Sequence, residues 1–280
     1  MIQESAGNIL PVQRGIQMAE TILSIRNLTR RFKGVLAADH IRMDLAKGGI
    51  YGLIGTNGAG KSTVINMISG SIPPTEGRIL FEGRDIGKLD AAGRARAGIA
   101  RTFQNLRLFS GQTVLENVVT ASQINRKYSL PEVLVCTPRY RREEKEFAGL
   151  AMEALKIMGI EQYTDFQADK LPYGLQRRLE IARCLAIQPK LLMLDEPAAG
   201  MNPHESLKLV DDIRVIRRTY PDMTILLIEH DMKVVMNLCE YIFVMAAGRM
   251  IAEGTPRQIY DSEEVISAYL GGIVHRNEQG

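Results

Sequence analysis

The sequence predicts an α/β fold: a mainly parallel core sheet, an antiparallel β subdomain and an inserted helical subdomain. Three observations carry this reading. Residues 49–54 form a short apolar run that enters a glycine-rich turn, and residues 62–69 then show helical spacing, giving the order strand, loop, helix. From Pro189 onward, strand and helix patterns alternate as in the βαβ units of a parallel sheet. Between these regions, residues 105–170 show helical patterns and no period of two.

Element by element, residues 1–17 are polar and aperiodic and read as a disordered extension. Strands are expected over 22–28 and 36–45. In the second, Ile41, Met43 and Leu45 alternate with Arg42 and Asp44, as in a half-buried antiparallel strand. A strand over 99–103 ends at Gln104. Helices around 113–122 and 140–158 flank a loop broken by Pro131 and Pro138. The alternation after Pro189 runs strand 191–194, helix 204–219, strand 223–228, helix 232–238 and strand 241–245. The expected organisation is one domain over 18–273, with 105–170 inserted, and a tail over 274–280.

The chain has 280 residues, of which 45% are hydrophobic and 24% charged, so one large globular domain with an insertion is affordable. A net charge of +3 with interleaved signs argues against a protein that coats nucleic acid. Cys136, Cys184 and Cys239 are odd in number and lack CxxC spacing, which disfavours a disulfide framework or a zinc site and fits a reducing compartment. No apolar run is long enough to span a bilayer, and the first fifteen residues contain no signal-like apolar stretch. If the protein works at a membrane, a partner is expected to take it there.

The chemistry concentrates in a few segments. Gly55-Thr56-Asn57-Gly58-Ala59-Gly60-Lys61-Ser62 fits the phosphate-loop pattern G-x-x-x-x-G-K-[ST], in the right strand-to-helix context. Glycines let backbone N–H groups turn around phosphate oxygens, and the following helix points its positive end at the same charge. Lys61 can reach the β- and γ-phosphates, and the Ser62 hydroxyl can bind Mg²⁺. Leu191-Leu192-Met193-Leu194-Asp195-Glu196 is an apolar strand ending in two carboxylates. Asp195 would hold Mg²⁺, and Glu196 would orient or deprotonate the attacking water, so hydrolysis is expected rather than binding alone. His230 follows an apolar strand at the sheet edge where open α/β sheets place ligands, which suits a γ-phosphate contact. The mixed-sign run from Arg139 to Glu146 reads as a solvated helix face.

Together with Arg101-Thr102-Phe103-Gln104, the segment Leu171 to Arg178, Ala199-Gly200-Met201-Asn202 and Ile228-Glu229-His230-Asp231, these motifs occur in the order of an ATP-binding cassette (ABC) ATPase, which the chain resembles from about Thr21 to Leu270. That is a P-loop NTPase fold. RTFQNLRLF, YGLQRRLEIARCLA, LDEPAAGMNP and LLIEHDMKVVM look like the longer ATPase subunit of branched-chain amino-acid importers; urea or amide importers look similar. The resemblance implies an ATP site of Gly55, Asn57, Gly58, Ala59, Gly60, Lys61, Ser62 and Thr63, with Phe32 stacked on adenine. It implies that Gln104 couples Mg²⁺ and water to the helical subdomain, that Ser62, Gln104 and Asp195 hold the metal, and that Glu196, Gln104 and His230 are catalytic.

The resemblance further implies that Leu171, Pro172, Tyr173 and Gly174 act as a signature segment on ATP held by the opposite subunit of a head-to-tail dimer, with Met201 and Asn202 at that interface. The expected partners are a second ATPase subunit, as heterodimer or homodimer, membrane permease subunits and, indirectly, a solute-binding protein, with no nucleic acid. The expected location is the cytoplasmic face of the inner membrane. Pro172 and Leu175 depart from the family's Leu-Ser-Gly-Gly-Gln, which implies a weaker composite site. Lipid export and non-transport cassette ATPases are the alternative readings.

Overall fold

The computed structural model describes residues 20–269. The readings of 1–17 as disordered and of 274–280 as a tail lie outside the described residues.

The chain begins with a long hairpin, β1 (Thr21–Phe32) and β2 (Val35–Ala46). β1 runs four residues beyond its predicted end because register shifts near Asn27, which has φ 49, let the ladder absorb irregular residues. β3 (Ile50–Gly55) is wholly buried and opens through the glycine loop into α1 (Lys61–Ile68). β4 (Glu76–Phe81) and β5 (Arg84–Asp85) complete a four-stranded antiparallel sheet in the order β2-β1-β4-β5. Next come α2 (Ala91–Ala97) and β6 (Ile99–Arg101), the latter shorter than expected.

The stretch after β6 holds α3 (Val114–Ser122), α4 (Leu130–Leu134) and α5 (Pro138–Ile157), followed by α6 (Tyr173–Leu185). α4 lies where the prolines predicted a loop. Pro131 sits in its first turn, where a missing N–H costs nothing. β7 (Leu191–Asp195), α7 (Pro203–Thr219), β8 (Thr224–Ile228), α8 (Met232–Leu238) and β9 (Tyr241–Ala246) follow the predicted alternation. β10 (Arg249–Gly254) and α9 (Pro256–Tyr260) follow.

The second sheet has the order β10-β9-β3-β8-β7-β6, parallel throughout except for its β9–β10 edge. Its central strands are apolar on both faces, as a covered parallel sheet requires. Ile54, Leu192, Leu194, Ile225 and Leu227 pack toward α3, α5 and α6, whereas Leu53, Leu191, Met193 and Leu226 pack toward α1 and the antiparallel sheet. The glycine loop, Asp195 and Ile228 therefore emerge side by side at the carboxyl edge of β3, β7 and β8.

Candidate functional site

The phosphate loop is held by close backbone packing. A Cβ on Gly55 would lie 2.2 Å from the Met245 carbonyl oxygen, and one on Gly60 would lie 2.4 Å from that of Ala37, where the backbone also has φ 100. Only glycine fits either position. Gly60 caps α1 without a side-chain hydrogen bond, so the amide groups of the helix's first turn are left for an anion. Lys61 is buried, and its Nζ donates to the carbonyls of Gly55 (2.7 Å) and Thr56 (3.2 Å). Burial pushes the Lys61 amine below its ordinary range, while Glu196, Asp195 and Glu229 pull it back up.

An open cavity of about 680 Å³ lies over this loop. Asn57, Gly58, Ala59, Gly60, Lys61, Ser62 and Thr63 line one side, and Gln104, Glu196 and His230 line another. Val35, Leu36, Ala37, Ala247 and Gly248 close it. The structure thus brings together the loop and all three residues expected to be catalytic. Gln104 Nε2 donates to Glu196 Oε2 at 3.0 Å, and His230 Nδ1 stands 3.9 Å from the same oxygen. Glu196 holds φ 45, a left-handed conformation costly for a non-glycine residue, while its N–H donates to the Ile228 carbonyl. Phe32 is not among the lining residues. It ends β1 half-exposed, with the Arg30 guanidinium 4.7 Å from its ring centroid.

Asp195 sits beneath the cavity, 4% exposed, and its Oδ2 accepts from Arg101 Nη2 at 2.7 Å. Arg101 also donates to Asn66 Oδ1 (2.6 Å) and Ser69 Oγ (3.1 Å) at the end of α1. One guanidinium therefore joins the loop helix, the carboxylate strand and the strand leading to Gln104. A second buried arginine, Arg177 on α6, donates to the carbonyls of Phe103 (2.6 Å) and Gln104 (2.5 Å) and pairs with Glu180 at 2.8 Å. Glu180 accepts the Phe103 N–H. Glu229 is buried completely and accepts from the Ala198 and His230 amides. Burial raises its carboxyl above the ordinary range. Sequence reasoning assigned no role to Glu229, to Glu180 or to either arginine's pairing; the available signal was a charged residue inside a run otherwise patterned for burial.

Leu171, Pro172, Tyr173 and Gly174 lie away from this cavity. Leu171 is buried, Pro172 caps α6, and the Tyr173 hydroxyl donates to the Ala199 carbonyl at 3.0 Å. Pro172, Gly174 and Met201 line a separate cavity of about 230 Å³, and Asn202 caps α7 in a reciprocal box with Glu205. The signature segment and the Met201–Asn202 turn thus meet each other, not the phosphate loop of their own chain.

The donor set suits a hard cation. Ser62, Gln104 and Glu196 offer oxygens to the cavity with Asp195 beneath. No group of three or more His, Cys, Asp and Glu side chains among the described residues is arranged to hold a metal ion by itself. A metal here would be held by one or two carboxylates together with hydroxyl and phosphate oxygens, which is how Mg²⁺ is held beside a nucleotide.

Known proteins resemble the chain along most of its length. The ABC transporter family pattern matches residues 38–199, and the branched-chain amino acid ATP-binding cassette transporter pattern matches 249–275. The high-affinity branched-chain amino acid transport ATP-binding protein LivG of Escherichia coli is 44% identical over 254 residues, covering 91% of this chain and 99% of LivG. BraF of Pseudomonas aeruginosa, with the same description, is 42% identical over 257 residues and covers 91% and 99%. The crystal structure of an ATP-binding cassette in its ADP conformation superposes with a TM-score of 0.76 at 31% identity, covering 90% of this chain and 99% of that one. No helix among the described residues is long and apolar enough to cross a membrane. The chain belongs to the ABC transporter family, as one of its nucleotide-binding ATPases.

Proposed function

We propose that this chain is the ATP-hydrolysing subunit of an importer for branched-chain amino acids or similar small polar solutes. The observation that carries the reading is its similarity along nearly the whole length of LivG. The geometry supplies the chemistry. The loop from Gly55 to Thr63 and the uncapped end of α1 bind the triphosphate, with Lys61 turning from its two carbonyls to the phosphates. Ser62, Gln104 and Asp195 would hold Mg²⁺, which when bound would neutralise phosphate charge. Glu196, fixed by Gln104, takes the proton of the attacking water, and His230 contacts the γ-phosphate. Phe32, whose register partner Val35 lines the cavity, is the residue that stacks on adenine.

Leu171 to Gly174, with Met201 and Asn202, complete the site of a second ATPase subunit, which explains why they lie outside their own chain's cavity. Permease subunits carry the solute, so the chain works as a peripheral subunit at the cytoplasmic face of the membrane, and residues 105–170 are its inserted helical subdomain within 18–273. The test is reconstitution of the chain with its permeases and sister subunit in vesicles. ATP-dependent uptake of leucine or valine is expected; uptake of urea alone, or outward lipid movement alone, would reject the solute class while leaving the ATPase intact.

A further inference from the structure

The segment joining α3 to α5 carries an apolar surface that the ATP site does not use. Leu130 is 71% exposed, Leu134 86% and Val135 73%, and Pro131 and Cys136 are exposed beside them. Leu130 and Leu134 are four residues apart and share one face of α4. Such a cluster is costly in water, and a loose loop would fold it away. Here the segment is tied down by side-chain contacts. Ser129 and Glu132 form a capping box at the start of α4. Tyr128 is buried below it, edge-on to Tyr140 at 5.1 Å with its hydroxyl on Glu144, and Arg139 donates to the Lys127 carbonyl.

The charges around the cluster are sorted. Arg126, Lys127, Arg141 and Arg142 are exposed and enter no ion pair found among the described residues. The acids of the same segment point elsewhere: Glu132 and Glu143 bind backbone amides at Ser129 and Lys127, and Glu144 binds Tyr128 and Gln123. Glu146, the one exposed acid nearby, lies a turn further along α5 beside Lys145. An apolar helix with unpaired, exposed cations on the segments before and after it is complementary to a bilayer surface bearing anionic headgroups, where acyl chains receive the leucines and phosphates receive the cations. A soluble protein partner would be expected to answer four cations with acids at fixed positions, whereas a lipid surface supplies anions wherever they are needed.

We propose that α4, with Val135 and the flanking cations, is a lipid-contacting surface that seats this subunit directly on an anionic membrane, independently of any permease. The sequence reading of Arg139 to Glu146 as a solvated face is then completed by headgroups rather than by bulk water alone.

The test is flotation of the purified full-length chain with vesicles of phosphatidylcholine, with or without about one-third phosphatidylglycerol. Each cation near an anionic surface contributes about fivefold to partitioning. Binding to the phosphatidylglycerol vesicles is therefore expected to fall more than tenfold for Arg141→Gln with Arg142→Gln, and to fall with added salt. Leu134→Glu with Val135→Glu is expected to abolish it while leaving the melting temperature and ATP hydrolysis unchanged, since both side chains are exposed. Cys136 is exposed while Cys184 and Cys239 are buried, so a polarity-sensitive dye on Cys136 gives a second readout. Its emission is expected to shift to the blue on phosphatidylglycerol vesicles. The proposal is overturned by failure of the wild-type chain to bind these vesicles, by equal binding of the Leu134→Glu, Val135→Glu variant, or by a dye shift that appears only on self-association or only with added permease. No outcome depends on the transported solute.

Discussion

Removing Arg101 tests how the site is held together. Its guanidinium and the Asp195 carboxylate are 2.7 Å apart with side chains only 9% and 6% exposed, and the same group also satisfies Asn66 and Ser69. Arg101→Met keeps the volume but strands a buried carboxylate. Breaking one side of a buried pair costs about 3–5 kcal/mol. At about 2 °C per kcal/mol for a domain of this size, nucleotide-free protein should melt about 6–10 °C lower. Arg101→Met with Asp195→Leu should recover most of that loss, because a matched apolar pair carries no uncompensated charge. Thermal and urea unfolding of the three proteins without nucleotide or Mg²⁺ measure the effect. A loss below about 1 kcal/mol for the single variant, or a double variant no more stable than it, would refute the reasoning that this ion pair is a buried hub.

Three further outcomes follow from the same geometry. Lys61→Ala should weaken ATP binding by about 10- to 100-fold, from the loss of one or more charge-assisted bonds, and equilibrium titration with a fluorescent ATP analogue checks it. Pro172→Ser gives α6 the side-chain cap it lacks, worth about 0.5–1 kcal/mol, and adds a hydroxyl to the segment proposed to meet the partner's ATP. In the assembled transporter it should raise turnover or lower the Michaelis constant for ATP; an unchanged or slower rate would mean that Gly174 and the helix end already suffice. Glu229 has its carboxyl raised by burial, so the stability it contributes is present at low pH and is lost as pH rises through that raised value. The stability of Glu229→Gln relative to wild type should therefore increase from pH 4.5 upward, and urea midpoints that track each other across that range would contradict the burial argument.

Much of the frame was legible because hydrophobic spacing and glycine spacing report it directly. α8 spans the predicted residues, and β3, the glycine loop and α1 follow the predicted order. What escaped has physical reasons. α2 buries no apolar side chain; its buried residue is Arg94, whose guanidinium bonds the carbonyls of Met67 and Ile68, so no amphipathic stripe appears. β10 is mostly half-buried and does not alternate, and β4 shows only Ile79 and Phe81 as buried apolar positions. At the site, the types of residue at the sheet edge could be read from motifs. Their supports could not, since Arg101 lies 94 residues from Asp195 and Arg177 lies 74 from Phe103, and no local pattern pairs residues so far apart.

The central claim is that Glu196, fixed by Gln104 above the phosphate loop, activates water for ATP hydrolysis, and phosphate release by the purified transporter carrying Glu196→Gln tests it most directly. Turnover should fall about 100-fold or more while binding of the ATP analogue stays at the wild-type level. Turnover within about twofold of wild type, with binding equally intact, would contradict the assignment of Glu196 as the base.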